Sequence, residues 1–218
     1  QPQQNCVLCG AASDSHLVCN PCHDELPRPA SACPICAAPG SGEICGQCLQ
    51  HPPHFTRTLA ALDYTFPVDK LIQAYKYHHQ LALARLFGTL LSQTVQHQAR
   101  PDLLLPMPLH PTRLRERGFN QAHEIAKRIG KTLKLPATPN LARRVVNTAS
   151  QATLDWDARK KNMQGAFACE TPLAGQHIAL VDDVMTSGAT LNELSKTLKQ
   201  AGAGEISVWV VARAVAHH

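Results

Sequence analysis

The sequence has no stretch approaching the roughly 20 consecutive apolar residues that a membrane-spanning helix needs. No secretory leader is apparent either, so the chain reads as soluble and cytoplasmic. It lacks any Gly-x4-Gly-Lys-Ser/Thr loop, which excludes a Walker A nucleotide site. Lysine is missing from the first 50 residues, where Arg28 alone faces Asp14, Asp24, Glu25 and Glu43 for a net charge of −3. Such a segment is poorly suited to hold nucleic-acid phosphates by itself. The rest of the chain has 20 basic against 12 acidic residues, or +8, and a polyanion meets that part first. Cysteine is nearly absent beyond residue 48, with Cys169 the one exception.

What the first 50 residues do contain is four Cys-x-x-Cys pairs: Cys6/Cys9, Cys19/Cys22, Cys33/Cys36 and Cys45/Cys48. Two thiolates three positions apart on a tight turn face one metal ion from the same side. A second such turn completes the tetrahedral four-cysteine shell that Zn2+ accepts, so eight thiols suit two ions. Sequential pairing gives two stacked zinc ribbons, and interleaved pairing is the alternative. Gly10 and Gly46 follow their knuckles closely, where a positive φ is useful. A segment this short, with few large apolar side chains, builds little core, so metal binding is expected to fold it. A disulfide framework is the competing reading, and a reducing compartment weighs against it. Cys169 reads as a buried small apolar residue, and His78, His79 and His123 have no partner at metal spacing.

The composition break divides the chain into residues 1–50, a double zinc ribbon, and residues 51–218, an α/β domain. Strands are expected at Leu59–Phe66, Leu103–Leu105, Leu141–Val146, His177–Val181 and Ile206–Ala212. Helices are expected at Val68–Tyr77, Leu81–His97, from an Asn120 cap onward, at Trp156–Met163 and at Gly188–Gln200. Strands and helices alternate, which implies a mostly parallel sheet covered on both faces.

The run Ile178–Leu191 carries the chemistry. A buried strand ends in Asp182 and Asp183, then comes a turn of Thr186, Ser187, Gly188, Ala189 and Thr190 that opens a helix. Ligands of such sheets bind at the carboxyl ends of the strands. Adjacent carboxylates accept hydrogen bonds from a vicinal diol. The turn offers backbone N–H groups and hydroxyls to a phosphate at a helix N-terminus. Together these suit a ribose 5-phosphate group.

Residues 178–191 resemble the phosphoribosyl pyrophosphate (PRPP) signature of type I phosphoribosyltransferases, and the whole chain resembles the ComF (ComF/GntX-like) family of competence proteins. The resemblance rests also on Pro106–Gln121 and on the spaced Thr148, Gln151, Leu154, Arg159, Asn162 and Phe167. It implies a type I phosphoribosyltransferase-like fold, with PRPP and Mg2+ in the pocket. It places Met107, Pro108, Arg113 and Arg117 on pyrophosphate, with a cis Met107–Pro108 bond freeing backbone N–H groups; Arg115 stays unassigned. It makes residues 143–162 a basic hood, where Arg144, Gln151, Arg159 and Lys160 are candidate nucleic-acid contacts and Trp156 packs or stacks. The implied role is DNA uptake in natural transformation: handling of single-stranded DNA in the cytoplasm, with a DNA-uptake helicase or other competence protein as partner. The alternative is an active phosphoribosyltransferase of nucleotide metabolism, its zinc module purely structural. No acceptor site or general base is identifiable, so the catalytic residues stay unassigned.

Overall fold

A computed structural model describes residues 4–13, 17–78, 80–146 and 163–214. The first 50 residues contain β1 (Gln4–Asn5), β2 (Ala12–Ser13), α1 (Asn20–Asp24) and α2 (Gly46–Gln50). Then follow β3 (Arg57–Asp63), α3 (Val68–Tyr77), α4 (Leu83–Val95), β4 (Leu103–Pro106), α5 (Pro111–Arg117) and α6 (Gln121–Leu133). The chain continues through β5 (Arg143–Arg144), β6 (Phe167–Ala168), β7 (His177–Met185), α7 (Ala189–Gln200) and β8 (Glu205–Arg213).

The central sheet has the order β3-β8-β7-β4, and all three pairings are parallel. Its two middle strands are apolar on both faces, as strands covered by helices must be. Along β7, Ile178 and Leu180 enter one core while Ala179 and Val181 enter the other. α3, α4 and α6 cover one face. Leu191, Leu194 and Leu198 of α7 close the other, as their spacing predicts. The α/β class and the parallel sheet are those expected.

Local chemistry explains the helix starts. The Asn120 side chain accepts the N–H of His123 at 3.2 Å, the cap expected for α6. Pro111 at the first turn and His110, whose Nδ1 accepts the N–H of Thr112, start α5. This helix was not expected: the apolar pattern between Pro108 and Gly118 is too short for helical periodicity to show. Gly118, at φ 73°, ends it.

Several boundaries move. Of Leu141–Val146 only Arg143–Arg144 pairs, antiparallel to β6. The stretch 147–162, with Thr148, Gln151, Leu154, Trp156, Arg159, Lys160 and Asn162, lies outside the described residues. β7 extends past Val181 to Met185, so Asp182 and Asp183 are strand residues paired alongside β8. A sequence ending in acids resembles a strand end, but β8 continues to Arg213 and supplies the ladder partners. The cis bond among the described residues is Phe66–Pro67, not Met107–Pro108. The Met107 N–H is engaged by the Val181 carbonyl at 2.8 Å, which continues the β4–β7 ladder.

The cysteine segment does not stand apart from the sheet. Leu8, Leu17 and Leu26 pack on the α4 side, whereas Cys33, Cys36 and Cys48 belong to the core on the α7 side. Between them the Pro27 carbonyl accepts the N–H of Asp63 at the end of edge strand β3.

Candidate functional site

The eight early cysteines gather into two clusters, Cys6/Cys9/Cys19/Cys22 and Cys33/Cys36/Cys45/Cys48, with the sulfurs of each within 4.8 Å of one another. Pairing is therefore sequential. In each cluster the first knuckle is a turn and the second sits on a short helix whose N-cap is a cysteine, Cys19 or Cys45. The positive φ expected after the knuckles occurs at Gly10 (76°) and at Ala37 (53°). Gly46 instead begins α2, because its knuckle is the helical one.

The clusters fit a tetrahedral ion. A metal with bonds of about 2.3 Å to sulfur holds its ligands about 3.8 Å apart. Cys9 and Cys19 sulfurs lie 3.7 Å apart, and those of Cys36 and Cys45 3.6 Å, far beyond the ~2.05 Å of a disulfide. Burial opposes the thiolate form of Cys6 and Cys33. Backbone N–H groups of Cys9 and Cys36, with others of the knuckles, outweigh it and bring both down to about 6. One thiol of each cluster is thus favoured as thiolate, while neighbouring thiols push Cys22 up and burial with its neighbours pushes Cys48 up; the four sulfurs of either cluster could hold a divalent cation. Cys169 is half-buried just after β6, its sulfur toward the Thr171 carbonyl, and joins neither cluster.

A separate cavity of about 220 Å³ lies at the carboxyl end of β7. Asp182, Asp183 and every residue from Thr186 to Thr190 line it, together with Met107, Arg117 and Arg144. Successive strand residues point to opposite faces, so the two acids reach the cavity from either side of the strand end. The Asp183 N–H donates to the Asp182 carboxylate at 2.9 Å. Gly188 takes φ 78°, and a Cβ there would stand 2.6 Å from Met185 Cε. The left-handed φ is what calls for glycine there. Among the described residues, the N–H groups of Thr186, Ser187 and Gly188 carry no hydrogen bond. They are open donors beside the cavity.

Cations surround this end. Arg117 lines the cavity, its guanidinium bonded to Gln121 Oε1 at 3.0 Å and lying 5.7 Å from the centre of the Tyr77 ring. Arg113, one turn earlier on α5, is turned toward Glu116 at 3.7 Å and does not line the cavity; nor does Pro108. Arg144 reaches in from β5 over the Phe167 ring. Burial lowers its pKa, against the pull of Asp182. Gln151, Arg159 and Lys160 lie outside the described residues.

Three contributors were not foreseen. Lys76, in the last turn of α3, donates to Asp183 Oδ1 at 2.8 Å. Burial alone would lower its pKa, but Asp183 and Asp182 outweigh that and raise it. Gln121 is buried in the cavity wall with its Nε2 unpartnered among the described residues. Arg213 lies beneath the loop, its guanidinium donating to the Met185 and Thr186 carbonyls at 3.1 and 2.5 Å. A charge directly after the buried run Ile206–Ala212 was the available signal for Arg213, the same signal that singles out the acids. Nothing in the sequence marks Lys76, since only tertiary packing brings α3 to β7.

Burial and the neighbouring Asp183 push Asp182 up to about 7, against the pull of Lys76 and Arg144. The cavity thus joins acceptors for hydroxyl groups, open backbone donors in a glycine turn, and three cations suited to an anion.

No family model matches the chain. Competence protein F of Haemophilus influenzae is 33% identical over 211 residues, 90% of each chain. The chain belongs to the ComF family. This ComF-family protein is also 32% identical to DNA utilization protein YhgH of Escherichia coli K12 over 204 residues, 90% of each. Competence protein ComFC of Streptococcus pneumoniae is 24% identical over 240 residues, 95% of this chain and 99% of that one. Among solved structures, the Bacillus subtilis glutamine PRPP amidotransferase complexed with ADP and GMP shares 15% identity at a TM-score of 0.42. That similarity covers 60% of this chain and 26% of the amidotransferase. A purine phosphoribosyltransferase of Pyrococcus horikoshii shares 16% at a TM-score of 0.32, over 72% of this chain and 87% of that one.

Proposed function

We propose that this protein is a PRPP-binding, phosphoribosyltransferase-like protein of DNA uptake, acting on single-stranded DNA in the cytoplasm. The observation that carries the pocket reading is one cavity lined by Asp182, Asp183 and the whole turn Thr186–Thr190, together with Arg117 and Met107. In this reading the acids take the ribose hydroxyls, the turn takes the 5-phosphate, and Arg117 takes the pyrophosphate. Mg2+ arrives with PRPP and neutralises part of its charge. Arg113 reaches pyrophosphate by turning from Glu116, a surface ion pair that costs little to break. Each four-cysteine cluster holds one Zn2+.

The DNA-uptake role is supported by kinship with Competence protein F and DNA utilization protein YhgH. The +8 charge beyond residue 50 is consistent with a polyanionic partner. Among the described residues no helix is long and apolar enough to cross a membrane.

Titration calorimetry with PRPP and Mg2+ tests the pocket. Saturable binding at one site is expected, abolished by Asp182→Asn with Asp183→Asn, while single-stranded DNA binding by the same variant persists. Absence of PRPP binding to the intact protein refutes the pocket, and parallel loss of DNA binding refutes separate sites. Release of pyrophosphate with any base or amine would assign the protein to the transferases.

A further inference from the structure

We infer that Arg213 is a positioning residue that couples the Cys33/Cys36/Cys45/Cys48 cluster to the turn at Thr186–Thr190. The inference rests on the reading of that turn as a phosphate seat. Arg213 is the last residue of β8, and its side chain is buried. Its Nε donates to the Cys36 carbonyl at 2.8 Å. Its Nη1 donates to the Met185 and Thr186 carbonyls and to that of Ala214. One guanidinium therefore bridges the backbone of a metal-ligating knuckle and the backbone of the turn, 177 and 27 residues away in sequence.

Two physical consequences follow. A planar trans peptide points its C=O and the next N–H in opposite directions. Holding the carbonyls of Met185 and Thr186 against Arg213 therefore aims the N–H groups of Thr186 and Ser187 away from it. Those N–H groups have no partner among the described residues, and the cavity lies on that side. Second, a buried guanidinium costs several kcal/mol unless its protons are taken up. Here carbonyls take those of Nε and Nη1, and among the described residues no carboxylate forms an ion pair with Arg213. Its positive charge is left directed at whatever anion occupies the turn above.

The link has a direction only through the second cluster. Leu8 and Leu17, beside the first cluster, pack on the opposite face of the sheet, and among the described residues that cluster makes no hydrogen bond to Arg213. A coupling free energy is reciprocal, so an anion in the turn must alter the second cluster as much as the cluster alters the turn.

Cadmium-113 NMR on the full chain, with both clusters loaded with cadmium, reads this directly. Cys45→Ser assigns the second cluster's resonance by perturbing it. Addition of ribose 5-phosphate is expected to shift that resonance and leave the first in place. Arg213→Met is expected to abolish the shift and weaken ribose 5-phosphate binding at least tenfold in calorimetry, with metal content unchanged. Tenfold corresponds to a turn that keeps its binding-competent form no more than about a tenth of the time. Arg213→Lys, which keeps charge but cannot span both anchors, is expected to recover only part of the affinity. Tight binding with neither resonance moving, or both moving alike, overturns the coupling while leaving the phosphate seat intact. No binding of ribose 5-phosphate or PRPP by the unsubstituted protein overturns both. If Arg213→Met fails to fold, the shift in the unsubstituted protein alone decides.

Discussion

Lys76→Met isolates the electrostatics of the cavity. In the folded chain Lys76 Nζ lies 2.8 Å from Asp183 Oδ1, with 21% of one side chain and 8% of the other exposed. Removing one partner of so enclosed a pair leaves a charge without compensation, a loss of about 3–5 kcal/mol in comparable cases. That loss has a ceiling, because the acid pair takes up a proton instead. Protonating an aspartate of ordinary pKa about 3.9 costs about 1.4 kcal/mol per pH unit, hence about 4 kcal/mol at pH 7 and about 1.5 kcal/mol at pH 5. The sign follows from linkage. A carboxyl whose folded pKa is raised contributes stability that is whole below the unfolded pKa and lost as pH rises through the folded one. The variant is therefore expected to lose about 3 kcal/mol at pH 7, or roughly 6–12 °C in Tm for a chain of this size, and no more than about half of that at pH 5. Thermal unfolding of the metal-loaded protein at the two pH values measures it. Adding Asp183→Asn to Lys76→Met is expected to restore most of the loss at pH 7. Equal destabilisation at both pH values, or no recovery in the double variant, would refute an electrostatic role for Lys76.

Two further outcomes are expected of the same cavity. Gly188→Ala forces a φ of 78° on a residue with a Cβ, at about 1–2 kcal/mol, and drives that Cβ against the buried Met185. Affinity for ribose 5-phosphate should fall about tenfold or more by calorimetry, and unchanged affinity would show that the turn binds in another conformation. Burial and Asp183 push Asp182 up to about 7, and in the proposed pocket its carboxylate, not its acid, accepts ligand hydroxyls. Affinity with Mg2+ should rise from pH 6 to pH 8, more steeply than in Asp182→Asn, whose remaining slope reports the ligand phosphate; parallel slopes would count against Asp182 as an acceptor.

Much of the molecule was legible from residue order. Elements with a full apolar stripe, such as α3 at Val68–Tyr77, were bounded to the residue, and α6 was placed by its Asn120 cap. α5 escaped because two turns of mostly charged residues carry no hydrophobic period. The Cys-x-x-Cys spacing pointed to two four-cysteine clusters but left their pairing open. Spacing within a knuckle is local geometry, whereas choosing the second knuckle depends on how the chain folds back.

The same division holds at the cavity. Asp182, Asp183 and the turn at Thr186–Thr190 are contiguous, so residue order alone marks them as a candidate diol-and-phosphate seat. Tertiary structure decided what surrounds it. Arg117 enters the wall, bonded to Gln121, and Arg113 does not, turned instead toward Glu116, although both lie on one face of α5. Lys76 meets Asp183 across 107 residues of sequence, and Arg213 ties the turn to Cys36 across 177. Such contacts follow from which strands lie side by side in the sheet. Parallel pairing brings the carboxyl ends of β7 and β8 together, and no local pattern encodes that meeting.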